Sequence, residues 1–142
     1  RATSTDPRDV RRAVIKARML SGSYILQHNR AVFNQTCDRT CPLCGDAEED
    51  VPHFLLRCSA TDHLRDPIIN NIIDIIPLFY EDHPSKSWST QLITQLVLDP
   101  SHPSVRERLP LSNVELFAIE AKSRSLCFAL HRYRALTLGY RP

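Results

Sequence analysis

Only three glycines, one methionine and one tryptophan occur in these 142 residues. Scarce glycine excludes collagen-like and flexible linker chains, and 42% hydrophobic with 24% charged residues is a globular composition. The length is that of a single domain, 1–142, large enough to bury a core. Long apolar runs are also missing. The richest cluster, Ile68–Leu78, is broken by Asn70, Asn71, Asp74 and Pro77, which excludes a membrane span. There is no charged start followed by an apolar stretch, so no signal peptide is read. No strand-like alternation of useful length and no internal repeat occurs, which leaves an all-α expectation. Neither sign of charge dominates: a net charge of +2 does not by itself demand a nucleic-acid partner. The chain begins at Arg1-Ala2-Thr3 without a methionine, as expected of a piece of a longer protein.

What the chain does contain is a dense donor segment. Residues 41–58 read Cys41-Pro-Leu-Cys44, then His53, then Cys58, a C-x2-C-x8-H-x4-C pattern. Two thiolates separated by two residues can face one ion across a tight turn, and Gly45 suits the positive φ such a knuckle demands. Three thiolates and one imidazole make a closed tetrahedral shell with no open position, which points to one structural Zn²⁺ held by Cys41, Cys44, His53 and Cys58. The zinc unit is expected over about residues 37–60. The fifth of five cysteines leaves no even disulfide set, so a reducing intracellular compartment, nuclear or cytoplasmic, is expected. Cys37 lies close to the knuckle but is not needed to complete the shell.

Charge is segregated along the chain. Residues 1–36 carry seven basic and two acidic groups, and residues 113–142 carry five and two. The two stretches between them are net acidic. A folded chain that brings its basic ends together would present a phosphate-binding surface.

The expected helices number about five. The first starts at Asp6 or Thr5 as N-cap with Pro7 at its first position, and stops at Gly22. Val10, Ala13, Val14, Ala17 and Leu20 form its apolar face, opposite a basic ridge of Arg8, Arg11, Arg12 and Lys16 that Ile15 and Met19 share. The second runs from about Ser23 to Asn34, with Tyr24, Ile25, Ala31, Val32 and Phe33 as its apolar content and His28 as a surface or satisfied polar residue. A short helix from Val51, capped by Asp50, holds His53 and loosens near Cys58, because residues five apart do not share a helix face. A third helix, Ala60–Ile76, buries Leu64, Ile68, Ile69, Ile72, Ile73 and Ile76, with Pro67 as a kink or true start. The fourth, Ser87–Leu98, gathers Trp88, Leu92, Ile93 and Leu96 and stops before Pro100. Residues 101–112 read as a loop. The last helix, Asn113–Leu136, carries two apolar stripes: Val114, Phe117, Ala118, Ala121, Ser125, Phe128 and Ala129, and then Leu116, Ile119, Leu126 and Leu130. Two stripes predict a long central helix packed on both faces, with Phe117 and Phe128 in the core and Cys127 beside it.

The run TCPLCGDAEEDVPHFLLRCSATDHLR resembles the zinc-binding segment near the C-terminus of reverse transcriptases from non-LTR (LINE-like) retrotransposons. The flanking runs LSGSYILQHNRAVFNQ and RSLCFALHRYRAL extend the resemblance. It implies a structural zinc unit that helps a polymerase, of which this chain would be a non-catalytic part, hold template RNA or target DNA. The chain departs from that pattern at Cys37, and it has no FADD-like polymerase box. Backbone contacts to RNA or DNA are expected from Arg8, Arg11, Arg12, Lys16, Arg18 and Arg30, helped by Arg132 and Arg134. The acidic loop 46–50 would repel phosphate. The alternative is a zinc-stabilised protein-interaction or scaffolding module without nucleic-acid binding. A metal-dependent nuclease is not supported, because Glu48, Glu49 and Asp50 are consecutive and cannot converge on one ion. No small-molecule substrate is indicated.

Overall fold

A computed structural model describes residues 6–34 and 36–142, with the side chains of Val32 and Phe33 set aside. Thr5 as a cap, and Val32 and Phe33 as apolar content, therefore lie outside the described residues. The order is α1 (Pro7–Ser21), α2 (Gln27–Phe33), a π-helical turn (His53–Arg57), a 3₁₀ turn (Ser59–Thr61), α3 (Asp62–Ile75), α4 (Thr90–Leu98), α5 (Pro103–Arg106) and α6 (Asn113–Leu138). The fold is all-α. Among the described residues the sole β pairing is one isolated bridge, Thr40 to Glu48, inside the cysteine-rich segment.

α6 is the long C-terminal helix on which the rest assembles; α1, α3, α4 and the π turn all pack on it. A capping box starts it, with Ser112 Oγ accepting from the Glu115 amide and Glu115 returning to the Ser112 amide. Its buried residues are Ile119, Ser123, Leu126, Cys127, Leu130, Arg134 and Ala135. The second predicted stripe is therefore the core stripe, shared with Tyr24, Leu26, Phe54, Leu55, Ile72, Ile76, Leu96, Val105 and Leu109. The first stripe is not a second packed face. Phe117 is 53% exposed and Val114 80%, while Phe128 only leans on the core. α6 is packed along one broad side, and its N-terminal outer edge faces solvent.

α1 begins and ends as read, with Asp6 accepting from the Arg8 amide, Pro7 at the first turn, and Gly22 closing the end at φ +78°. Its orientation is the reverse of the expectation. Ile15, Lys16 and Met19 are buried, whereas Val10, Val14, Ala17 and Leu20 face outward. The cause lies at Lys16. Its ammonium pairs with Glu120 and donates to Ser123 Oγ at 2.6 Å, both on α6. An ion pair with hydrogen bonds on both sides holds the lysine inside, beside the buried Ile15 and Met19.

The remaining elements shift modestly. α2 starts at Gln27, later than expected, because Tyr24 and Leu26 are buried in a turn and an extended residue ahead of it. Asn29 Nδ2 ties that turn by donating to Gly22 O and Tyr24 O. Pro67 is neither start nor stop but sits exposed inside α3, and of the expected core residues Leu64, Ile68, Ile69 and Ile73 are only partly buried, while Ile72 and Ile76 are buried. α4 starts at Thr90 under the Ser89 cap. The expected loop 101–112 contains the short α5 and buries Val105 and Leu109. In the α3–α4 connection, His83 is buried between Ile76 O and Ser85, and Tyr80 reaches Pro110 O.

Candidate metal centre

The cysteine knuckle is shaped by backbone. Gly45 donates its amide to Cys41 O at 2.9 Å and takes φ +73°, a conformation open to glycine without strain. Cys41 in turn donates its amide to Ala47 O at 2.7 Å. The folded-back chain aims amides at sulfur: Leu43 and Cys44 at Cys41, and Asp46 at Cys44 Sγ at 3.5 Å.

The other two donors come from the helical turn that follows. Asp50 Oδ1 accepts from the His53 amide at 2.9 Å and starts it. In an α-helix, residues five apart point about 140° from each other. Here the turn widens to π, and the Cys58 amide bonds to His53 O at 2.8 Å. That i→i+5 closure brings His53 and Cys58 to one side, the loosening expected from their spacing. Phe54 and Leu55 are fully buried beneath it, with Phe54 stacked on Tyr24 at 5.7 Å between centroids.

The ligand atoms of Cys41, Cys44, His53 and Cys58 all lie within 4.8 Å of one another, a group able to hold one metal ion. Cys41 Sγ is 3.9 Å from Cys58 Sγ, and Cys44 Sγ is 3.4 Å from His53 Nε2. The sulfurs are far outside disulfide length, near 2 Å, and all five cysteines are free. Cys37 stays outside the group, half-buried near Gln27 Nε2, and Cys127 lies buried on α6. Burial pushes the Cys41 thiol up to about 12 and the Cys58 thiol upward too, and burial lowers His53. Desolvation thus favours neutral thiols, and a divalent cation among them reverses that preference outright.

Three charged residues that are not donors hold the site in place. Glu49 is wholly buried and accepts from Arg134 Nε at 2.9 Å and Nη2 at 2.8 Å. Its Oε1 also accepts from the Gln27 amide and its carbonyl from the His28 amide, so Glu49 serves as the missing cap of α2. Arg65 is buried and donates to Cys58 O, Thr61 Oγ1 and Asp62. Sequence reasoning missed the structural role of all three: Glu49 and Arg134 pair across 85 residues, and Arg65 turns inward onto acceptors that only the fold buries.

The expected nucleic-acid contacts divide. Arg8, Arg11, Arg18 and Arg30 are exposed, and Arg12 is partly buried. Lys16, 4% exposed and committed to Glu120 and Ser123, is corrected from phosphate contact to core ion pair. Arg134 is corrected likewise by Glu49, while Arg132 remains exposed. His131 accepts from or donates to Tyr24 Oη at 2.7 Å and is a packing residue. Among the described residues, no helix is long and apolar enough to cross a membrane. No protein-family model, curated protein or solved structure matches the chain.

Proposed function

We propose that the Cys41, Cys44, His53, Cys58 group holds one structural Zn²⁺, and that the chain is a zinc-stabilised helical accessory module of a larger polypeptide. The observation that carries this is the donor spacing. Zn–S near 2.3 Å and Zn–N near 2.0–2.1 Å put tetrahedral S···S at about 3.8 Å and S···N at about 3.6 Å. The separations of 3.9 and 3.4 Å fall beside those values. Four protein donors leave no coordination position for water or substrate, so the site cross-links and does not catalyse. The cross-link joins the knuckle to the π turn, and Glu49–Arg134 carries it on to α6. The ligand spacing within this helical frame supports the likeness to the C-terminal region of non-LTR reverse transcriptases, for which the module would be a non-catalytic part.

A second reading, contact with an RNA or DNA backbone, is favoured by four exposed guanidiniums at Arg8, Arg11, Arg18 and Arg30. Elemental analysis of the purified chain tests the first reading: one zinc per chain is expected, lost together in Cys41→Ser or Cys58→Ser. Absence of zinc, or zinc retained by both variants, would sink it.

A further inference from the structure

α1 turns a three-turn apolar strip to solvent. Val10, Val14 and Leu20 are 47%, 43% and 49% exposed, and Ala17 between them is exposed as well. Their spacing places them on one side of the helix, the pattern of a face that packs on a partner helix. The helix cannot roll to bury this strip. Rolling would draw Lys16 from Glu120 and Ser123 and lift Ile15 and Met19 out of the core. The exposure is therefore fixed by the fold.

We propose that this outward face of α1 docks an amphipathic helix of another polypeptide, one whose apolar stripe is flanked by carboxylates. The charge beside the strip selects the partner. Arg11 and Arg18, seven residues apart, run along the same edge, and both are exposed. Arg11 is also held in place, its guanidinium carbon 5.8 Å from the Phe128 ring centroid. Two cations at heptad spacing beside an apolar seam meet the flanking positions of a helix packed on that seam, where opposite charge attracts and like charge repels. An antiparallel second copy of α1 would bring arginine edge against arginine edge, which disfavours that self-pairing. A nucleic-acid backbone would match the arginines but leave the valines and leucine uncovered. Ala17 in mid-strip permits close approach of the two axes. The inference is independent of which metal the cysteines hold.

The test uses the intact, metal-loaded chain as bait for displayed helical peptides with a fixed apolar stripe and randomised flanking positions. Enriched binders are then measured in parallel on the parent and on a Val14→Asp variant. Val14 faces outward, so this variant keeps its metal content and melting temperature, and a failed fold is distinguishable from a failed face. Enrichment of Glu and Asp at the flanks is expected, with affinity reduced at least about tenfold in Arg11→Glu/Arg18→Glu. Three results would each overturn the proposal. The enriched peptides show no acidic bias or bind Val14→Asp equally well. The chain dimerises in sedimentation and Val14→Asp abolishes the dimer. Alternatively no peptide is enriched while a single-stranded oligonucleotide binds both parent and Val14→Asp.

Discussion

Arg134, near the end of α6, lays its guanidinium across both carboxylate oxygens of Glu49, 85 residues earlier, at 2.8 and 2.9 Å. Both partners are buried, so the pair fastens the cysteine knuckle to the central helix from inside the core. Breaking a buried pair from one side strands a charge and costs about 3–5 kcal/mol. Arg134→Met alone should therefore be far more destabilising than Glu49→Gln/Arg134→Met. Urea unfolding of the single and double variants checks this. Additive losses would mean that the two side chains are not coupled.

Metal removal should unfold more than the knuckle. Binding to a structural Cys3His site contributes on the order of 10 kcal/mol, comparable with a domain's whole stability. His53 and Cys58 sit on the turn that buries Phe54 and Leu55, so a chelator should lower far-ultraviolet helicity and melt at least residues 37–60. Cys44→Ser should lose the metal, whereas Cys37→Ser and Cys127→Ser should keep it. Metal loss in Cys37→Ser would place that thiol in the shell after all.

On α6, Ile119→Ala or Leu126→Ala should cost about 2–5 kcal/mol, the range for emptying a buried aliphatic site. Phe117→Ala should cost well under that, because its ring is already half in solvent. Thermal melts of the three variants settle the comparison, and a Phe117→Ala loss equal to that of Leu126→Ala would contradict the packing.

How far the sequence revealed this molecule depends on the range of the interaction. The metal donors were legible because all four lie within eighteen residues and local turns bring them together. Asp6 and Gly22 marked the ends of α1 because capping is also local. The orientation of α1 was not legible. Its apolar period favoured Val10 and Val14, and the lysine that reverses it needs Glu120, 104 residues away. The same holds for α2, whose start is set by Glu49. A periodicity says which residues share a face, and the distant partner decides which face turns inward.

Acid should weaken the α1–α6 contact through Glu120. Burial alone would raise this carboxyl, but the Lys16 ammonium and the Arg124 guanidinium outweigh it and hold the group below its ordinary 4.5. A folded-state value below the unfolded one contributes stability that is present above 4.5 and lost as pH falls through the lower folded value. Acid also strips thiolate-bound metal, so the informative quantity is the difference between parent and Glu120→Gln. That difference in melting temperature should be largest near neutral pH and shrink below 4.5. A difference that is constant across the range would remove Glu120 from the acid response.

Nucleic-acid contact, if it occurs, must come from a smaller set than the basic residues of the sequence. Lys16 and Arg134 are engaged in the core, and the strip beside the α1 arginines is apolar. Of the six α1 and α2 groups expected to carry the contact, Arg8, Arg11, Arg18 and Arg30 remain exposed. Each phosphate contact contributes roughly 0.7 to 0.9 to the slope of log affinity against log salt, so four predict a slope of about −3. Arg8→Glu/Arg30→Glu lies outside the apolar strip and should flatten that slope by about half with no change in metal content. Lys16→Gln should lower the melting temperature and leave the slope unchanged, because its ammonium faces Glu120 and not solvent. Binding titrations of a single-stranded and a duplex oligonucleotide across a salt series separate these cases. If the parent binds neither at low salt, or Lys16→Gln flattens the slope as Arg8→Glu/Arg30→Glu does, the exposed guanidiniums are not a phosphate surface. The module then acts through protein contacts alone.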